Sequence, residues 1–409
     1  MPSSAGFPSV SASAPSPRRS SFGWALLTAP RARRGAAVRW LAWIGVILVL
    51  ALALPAVRYA RATALLLGLS GTSPGWAPLV ESDFSIESLE LPAEVSGGSS
   101  IRARVYRPAS AFGRPRGLVL AHGVHWLGID EPRLVGLARA FARAGLVVLT
   151  PELGPLADYR VDSEGNLDTL RASVHWLARE PNLAPGGVGL LGVSFAGGLA
   201  LRVASEAPVS DELAFVGSIG GHHDMPRVAR FFVTDRIATP DGEIEWQAHD
   251  YGLAVLVYNA PERFVSAEDA PILRRAVRAF LHENYREAEQ AALALSPAGR
   301  GVFERVSRRD RLALAATVLR ELPSMAATMQ VASPAGRLAS VRVPVFLLHG
   351  AHDNVVPPSE SLFSAREAKN SRSVHVLVSN KIGHAEMGKQ ESKLEELRLL
   401  HFMAELLGA

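Results

Sequence analysis

One serine of this chain stands in a pattern that would make it a nucleophile. Residues 188–191 are typical of a short buried strand, and Gly192-Val193-Ser194-Phe195-Ala196 follows at once, with Gly197 and Gly198 behind it. This order predicts a strand, a tight turn carrying Ser194, and a helix that begins with small residues. Such a turn lifts a hydroxyl out of the sheet. We therefore predict that Ser194 is a nucleophile; the alternative is a serine in an ordinary tight turn.

An aspartate and a histidine follow two later predicted strands. Asp353 lies in the loop after the apolar run 343–350, and His384 lies between the strand-like run 374–378 and the final predicted helix. Ser194, Asp353 and His384 thus each stand just past the C-terminal end of a strand, in that order along the chain. Asp353 taken alone also fits a turn or helix-cap residue.

This order of side chains resembles that of the α/β-hydrolase superfamily. The resemblance covers residues 84 to 409 and implies an α/β-hydrolase fold, in which a mainly parallel sheet is flanked by helices and carries a helical cap. It implies that Ser194 is the nucleophile, His384 the general base that takes its proton, and Asp353 the carboxylate that orients the imidazole. The chain departs from the superfamily pattern at Ala196, where a glycine is usual, but the residue there is still small.

The same resemblance implies an oxyanion hole. The loop His122-Gly123-Val124-His125-Trp126 follows the third predicted strand and resembles the His-Gly segment of the superfamily. The two backbone N–H donors are then those of Val124 and Phe195; the alternative for the loop is a plain strand-to-helix turn. His125 is the candidate substrate-binding residue, with simple packing in the loop as the alternative.

Two histidine-containing segments raise the question of a metal site. They are Gly220-Gly221-His222-His223-Asp224, and His349 together with His352 and Asp353. Nothing in their spacing supplies a third or fourth ligand, so we expect no metal and no cofactor. The chain has no cysteine, which excludes disulfides and a thiol nucleophile.

The alternation of elements predicts how the chain is organised. Strand-like and helix-like segments alternate from residue 84 onward, as in a mainly parallel sheet covered by helices on both faces. Residues 85–91 and 101–107 are predicted to form a leading antiparallel pair. The sheet pattern stops after Gly221, and residues 270–295 and 308–322 are helical in pattern. We predict a core at 84–221 and 339–409 and a helical cap at 222–338; the alternative is extra helices with no role at the active site.

The first part of the chain predicts a tail and a membrane anchor. Residues 1–39 are a predicted disordered basic tail, because a stretch rich in Ser, Pro and Ala buries too little apolar surface to fold. Residues 40–57 carry no charge and would span about 27 Å as a helix, close to the thickness of a bilayer core. We predict a single transmembrane helix there, followed by a linker at 58–83. The alternatives are a cleaved signal peptide and twin-arginine export.

Charge predicts the orientation of the anchor and the class of partner. Six arginines precede residues 40–57 and two follow closely, whereas the first 80 residues contain no acidic side chain. The positive-inside tendency places the N-terminus in the cytoplasm and the catalytic region on the extracytoplasmic side. The net charge of the whole chain is +4, so the remainder is net negative and nucleic acid is not an expected partner.

The sequence supports one leading functional hypothesis and two alternatives. The leading one is a membrane-anchored serine hydrolase that cleaves an ester or similar acyl bond of a small-molecule or lipid-like substrate through an acyl-serine intermediate. An acyltransferase would use the same three residues, and a peptidase is a further alternative. The non-enzymatic alternative is a binding module, since fold and function are separable.

Overall fold

The computed structural model describes residues 31–92, 100–109, 113–161, 164–382 and 393–409, with the backbone alone at 31–38, 46–52, 54 and 311. The chain divides into two compact units, Met1–Pro55 and Ala56–Ala409. The predicted nucleophile and every strand of the described residues lie in the second unit.

Ten strands are present in the described part of the chain. They are β1 Phe84–Leu91, β2 Ile101–Pro108, β3 Gly117–Ala121, β4 Val147–Pro151, β5 Val188–Val193, β6 Leu213–Ile219, β7 Arg236–Thr239, β8 Gly242–Glu245, β9 Val345–Gly350 and β10 Val374–Ser379. Eight of them form one sheet in the order β1-β2-β4-β3-β5-β6-β9-β10. β2 runs antiparallel to both β1 and β4, and the other pairs are parallel. The predicted leading antiparallel pair and mainly parallel sheet are confirmed.

Helices cover this sheet and fill the long connection between β6 and β9. They are α1 Arg31–Leu69, α2 Pro132–Arg143, α3 Gly154–Ala157, α4 Glu164–Ala178, α5 Phe195–Ala204, α6 Met225–Thr234, α7 Tyr251–Asn259, α8 Ala270–Leu281, α9 Tyr285–Ala292, α10 Pro297–Ser307, α11 Arg311–Ala332, α12 Ser359–Glu367 and α13 Lys393–Gly408.

Both faces of the sheet are buried, as the alternation of side chains in β3 shows. Leu118 and Leu120 belong to one apolar cluster, which includes residues of α2 and α13, whereas Val119 and Ala121 belong to another, which includes residues of α4 and α5. Successive side chains of a strand point to opposite faces. A strand covered on both sides reads as a continuous apolar run, which explains the composition of β3, β4 and β9.

The connection between β6 and β9 is less uniformly helical than its sequence pattern predicts. It contains helices α6 to α11, but also the hairpin formed by β7 and β8. The run 270–295 is broken into α8 and α9 at Glu283, whose φ is +60°. α9 then begins at Tyr285, and the side chain of its N-cap Asn284 accepts a hydrogen bond from the N–H of Glu287. A residue with positive φ cannot continue a right-handed helix.

Helix α1 extends beyond the predicted anchor on both sides. Residues 31–39, predicted as tail, and 58–69, predicted as linker, are helical, in keeping with their many Ala, Leu and Arg residues, which favour helices. Residues 1–30 lie outside the described residues. The second-unit part of α1 packs on α13, where Tyr59 Oη lies 2.6 Å from His401 Nδ1.

The described part of the chain includes no helix that combines the length and the apolar character needed to cross a membrane. The predicted span at 40–57 includes residues of whose side chains the structure describes nothing. The anchor therefore stays a prediction.

A buried carboxylate joins the start of the segment between β6 and β9 to helix α12. Glu360 in α12 is 1% exposed and accepts hydrogen bonds from the N–H groups of His223 and Asp224, at 2.8 and 2.9 Å. It also accepts from Arg227 Nε and Nη2, at 2.6 and 2.9 Å. These four donors hold the loop after β6 and the first turn of α6 against α12.

We predict that neutralising this carboxylate destabilises the fold. Glu360→Gln should lower the free energy of unfolding by about 3 kcal/mol or more, because it leaves the Arg227 guanidinium without its buried counter-charge. The matched control is Glu304→Gln, since the Glu304–Arg308 pair is exposed and should contribute less than about 1 kcal/mol. Urea unfolding followed by tryptophan fluorescence measures both. Equal midpoints for the two variants would contradict the prediction.

Candidate active site

The backbone at Ser194 forms the sharp turn that the sequence predicts. β5 ends at Val193, and α5 begins at Phe195, so that Ser194 alone makes the turn, with φ +55° and ψ −134°. Its N–H donates to the carbonyl of Ile219 at 2.7 Å, and its own carbonyl accepts from the N–H of Gly197 at 2.8 Å. A non-glycine residue in such a region costs about 1–3 kcal/mol and persists only where its surroundings enforce it.

Glycines around the turn allow neighbouring segments to pack closely enough to hold Ser194 in this conformation. A Cβ at Gly192 would overlap the carbonyl of Ala196, and Cβ atoms at Gly197 and Gly198 would overlap the side chains of Ser218 and His222. β5, α5 and the loop after β6 therefore meet at backbone distance. Ala196, the departure from the usual pattern, is fully buried. The positions that must be glycine are instead the next two, Gly197 and Gly198.

The loop that follows β3 lies directly against the serine. A Cβ built on Gly123 would lie 3.1 Å from Ser194 Cβ and 3.4 Å from the carbonyl oxygen of Val193. Gly123, which precedes Val124 in the chain, therefore packs against Ser194. Phe195 is the first residue of α5, where N–H groups have no partner within the helix and the positive end of the helix dipole lies.

His122, which sequence reasoning left without a role, orients this loop. Its Nε2 accepts from the N–H of Leu153 at 2.9 Å, so the ring proton lies on Nδ1, which donates to the carbonyl of Gly123 at 2.8 Å. Burial lowers the pKa of His122, which keeps the ring neutral. Because a trans peptide is planar, fixing the Gly123 carbonyl toward His122 turns the Val124 N–H to the opposite side. The only signal in the sequence was the position of His122 at the end of β3.

Asp353 is buried in the loop after β9. It is 2% exposed, and its Oδ1 accepts from the N–H groups of Val355 and Val356 at 2.9 and 3.0 Å. These two hydrogen bonds are those of a turn residue, the alternative role that the sequence analysis gave for Asp353. Oδ2 faces the loop after β6, since a Cβ on Gly220 would lie 3.4 Å from it. Oδ1 thus holds the loop after β9. Oδ2 lies next to the end of β6, the strand whose last carbonyl accepts the Ser194 N–H.

His349 fixes the same loop from inside the sheet. Its side chain is fully buried, with Nε2 2.9 Å from the Val356 carbonyl and 3.5 Å from Asp353 Oδ2. A carbonyl can only accept, so Nε2 carries a proton; Nδ1 lies 2.7 Å from the Ser361 hydroxyl. The described residues contain no group of three or more His, Cys, Asp or Glu side chains suited to a metal ion.

The structure describes one of the two remaining predicted residues, His125, but not the other, His384. His384 lies outside the described residues, so its role as base stays a prediction. His125 is part-buried, and its Nδ1 accepts from the N–H of Leu127 at 3.1 Å. Its ring stacks on Trp126, with centroids 5.9 Å apart, and burial lowers the pKa of His125. The structure therefore brings together Ser194, the loop after β3 and the start of α5, with Asp353 in the loop after β9.

Solved structures similar to this chain include three hydrolases. The acylaminoacyl peptidase of Pyrococcus horikoshii is 13% identical, with 81% of this chain and 42% of that chain covered and a TM-score of 0.46. The dienelactone hydrolase of Anabaena variabilis ATCC 29413 is 15% identical, with 79% and 96% covered and a TM-score of 0.41. Brefeldin A esterase, a bacterial homologue of human hormone sensitive lipase, is 17% identical, with 87% and 84% covered and a TM-score of 0.43.

Likenesses this distant indicate no substrate for the present chain, which spans less than half of the length of the Pyrococcus peptidase. No curated protein sequence matches the chain.

A family model gives the more specific match. The model described as X-Pro dipeptidyl-peptidase (S15 family) matches residues 158–386, a range that contains Ser194, Asp353 and His384. The sheet, the turn at Ser194 and this match identify the chain as a serine hydrolase of the α/β-hydrolase type. Because the match covers more than half of the chain, the protein belongs to the X-Pro dipeptidyl-peptidase (S15) family.

Proposed function

We propose that the protein cleaves an ester or similar acyl bond through an acyl intermediate on Ser194. The observation that carries this proposal is the strained backbone of Ser194, held between the Gly123-Val124 segment and the N-terminus of α5. Strain of this kind clusters at functional sites.

The reaction would proceed in two steps. Ser194 Oγ attacks the carbonyl carbon while His384 takes its proton, and the N–H groups of Val124 and Phe195 donate to the oxyanion that forms. His384 then protonates the leaving group, and the acyl-serine remains. Water attacks the acyl carbon in the second step and loses a proton to His384. His384 returns this proton to Ser194 Oγ as the bond from Oγ to the acyl carbon breaks, and the free acid leaves. Asp353 orients the imidazole throughout.

Two further questions are whether the cleaved bond is an ester or an amide, and whether water or an alcohol accepts the acyl group. The family description favours an amide bond on the C-terminal side of proline as a second candidate. Parallel assays of an Xaa-Pro p-nitroanilide and of p-nitrophenyl butyrate decide between a peptidase and an esterase. Transfer to an alcohol instead of water uses the same residues, and product analysis with competing acceptors separates the two outcomes.

We predict that Ser194→Ala removes activity without unfolding the protein. The variant should lose on the order of 10⁴-fold or more in kcat on p-nitrophenyl butyrate and should no longer react with a fluorophosphonate probe. The control is Ser205→Ala, at the other end of α5, where the hydroxyl donates to the Arg202 carbonyl. Equal labelling of the Ser194 variant and the wild type would refute the proposal.

We predict that Gly123→Ala lowers kcat rather than raising KM. The new methyl group would lie 3.1 Å from Ser194 Cβ and would push the Val124 N–H away from the oxyanion. Misplacing one such donor should cost about tenfold or more in kcat, because the interaction forms only in the transition state. Gly136→Ala is the control, since a Cβ at Gly136 in α2 meets no atom within 4 Å. Similar kinetics for the two variants would exclude the oxyanion role.

We also propose that residues 40–57 anchor the protein in a membrane, on the basis of their uninterrupted apolar sequence. The full chain should then stay in the membrane pellet after extraction with alkaline carbonate, whereas a double Leu→Asp substitution at Leu48 and Leu50 should release it. Release of the unsubstituted chain would contradict the anchor. This outcome would leave the catalytic proposal untouched.

A further inference from the structure

The two edges of the eight-stranded sheet differ in their charge. Among the described residues β1 forms one edge and β10 the other. β1 carries Glu87 and Glu90, and Arg107 of the next strand pairs with Glu87 at 3.7 Å. Charged side chains protect an edge strand from pairing with another chain. β10 contains no Lys, Arg, Asp or Glu, so its edge does not carry this protection.

Main-chain groups of alternate residues in β10 face away from the sheet. In the described part of the chain β10 pairs with β9 alone. The carbonyls of Ser373 and Ser379 accept hydrogen bonds from N–H groups at the start of β9 and just after its end, each at 2.9 Å. Because every second residue of a parallel strand bonds to the same neighbour, the outward-facing N–H and C=O groups are those of Val374, Val376 and Val378.

Apolar side chains are exposed at this edge and on the helices that flank it. Val376 and Val378 are 39 and 37% exposed. α12 packs on the face of β10 where these side chains lie and exposes Leu362. α13 packs on the opposite face and exposes Leu394 and Leu397. An apolar surface that continues across a sheet edge and two helices is typical of a protein–protein contact.

The charged groups at the two ends of β10 have opposite signs. Exposed Arg372 precedes the strand, whereas Glu395 of α13 lies at its other end and accepts from Asn380 Nδ2 at 2.6 Å. Lys381 is paired there with Glu396 at 2.5 Å. An antiparallel strand that suits this edge is therefore uncharged, with an acidic group at the end that meets Arg372 and a basic group at the other. A second β10 has these properties.

We propose that β10 pairs with β10 of a second copy of this chain, antiparallel and about a two-fold axis, so that two sheets join into one. The register that uses all the outward-facing groups places Val376 opposite Val376 of the other copy and Val374 opposite Val378. Arg372 of each copy then lies near Glu395 of the other. This interface is separate from the proposed reaction, to which β10 contributes no residue.

The test uses the absence of cysteine from the chain. In the proposed register, Val376→Cys places two thiols opposite each other across the axis, with their Cα atoms about 5.5 Å apart, a separation that a disulfide spans. We expect the full chain with this substitution, mildly oxidised in dilute detergent solution, to form a covalent dimer on a non-reducing gel.

Val378→Cys is the matched control, because Val378 lies on the same face of the same strand and is equally exposed. In the proposed register the two Val378 residues lie four positions apart along the paired strands, about 14 Å, which is too far for a disulfide. This variant should give at least tenfold less covalent dimer than Val376→Cys. Ile86→Cys, at an exposed position of β1, should give equally little.

Sedimentation of the unlabelled chain gives a second, cysteine-independent measurement. The wild type should sediment at twice the protein mass of Val376→Lys, which places two like charges opposite each other at the axis, whereas Ile86→Lys should leave the mass unchanged. A monomeric wild type, or equal cross-linking of the Val376 and Val378 variants, overturns the inference. Neither measurement uses enzymatic activity, so their outcome and that of the catalytic proposal are independent.

Discussion

The constraint on which the site depends is the close approach of three backbone segments around Ser194. β5, the first turn of α5 and the loop after β6 approach one another so closely that Gly192, Gly197 and Gly198 have no room for a methyl group. This packing holds Ser194 at a positive φ, a conformation that the residue would not keep in an isolated peptide. The apolar core on both faces of the sheet supplies the free energy that maintains the strain. Packing therefore positions Ser194, to which we assign the role of nucleophile.

The loops beside the serine are held by a second device, a buried imidazole. His122 joins the Gly123 carbonyl to the Leu153 N–H, and His349 joins the Val356 carbonyl to the Ser361 hydroxyl. In His122 one ring nitrogen donates and the other accepts, so the surrounding partners determine the tautomer. Its neutral ring suits this purpose, because a buried imidazolium would need a counter-ion. Both rings fix main-chain atoms next to groups to which we assign a part in the reaction.

The segment between β6 and β9 contacts the core at two places that differ in their interactions. Glu360 accepts hydrogen bonds from four donors at the start of this segment. At the other place the contacts are between rings: Trp126 stacks on His282, and Tyr159 lies against His282 and Tyr251.

The sequence by itself determined the local features: the strand, turn and helix at Ser194, the position of Asp353 after β9, and the apolar strands of a two-sided sheet. These features depend on residues that are consecutive in the chain, namely the glycines at the turn and the spacing of the apolar side chains. His384 and the anchor are predictions of the same kind. The tertiary structure alone decided the roles of His122 and Glu360 and the meeting of Trp126 with His282. Their partners lie far away in the chain, 137 residues for the contact of Glu360 with His223, and no local pattern records which distant side chains will meet.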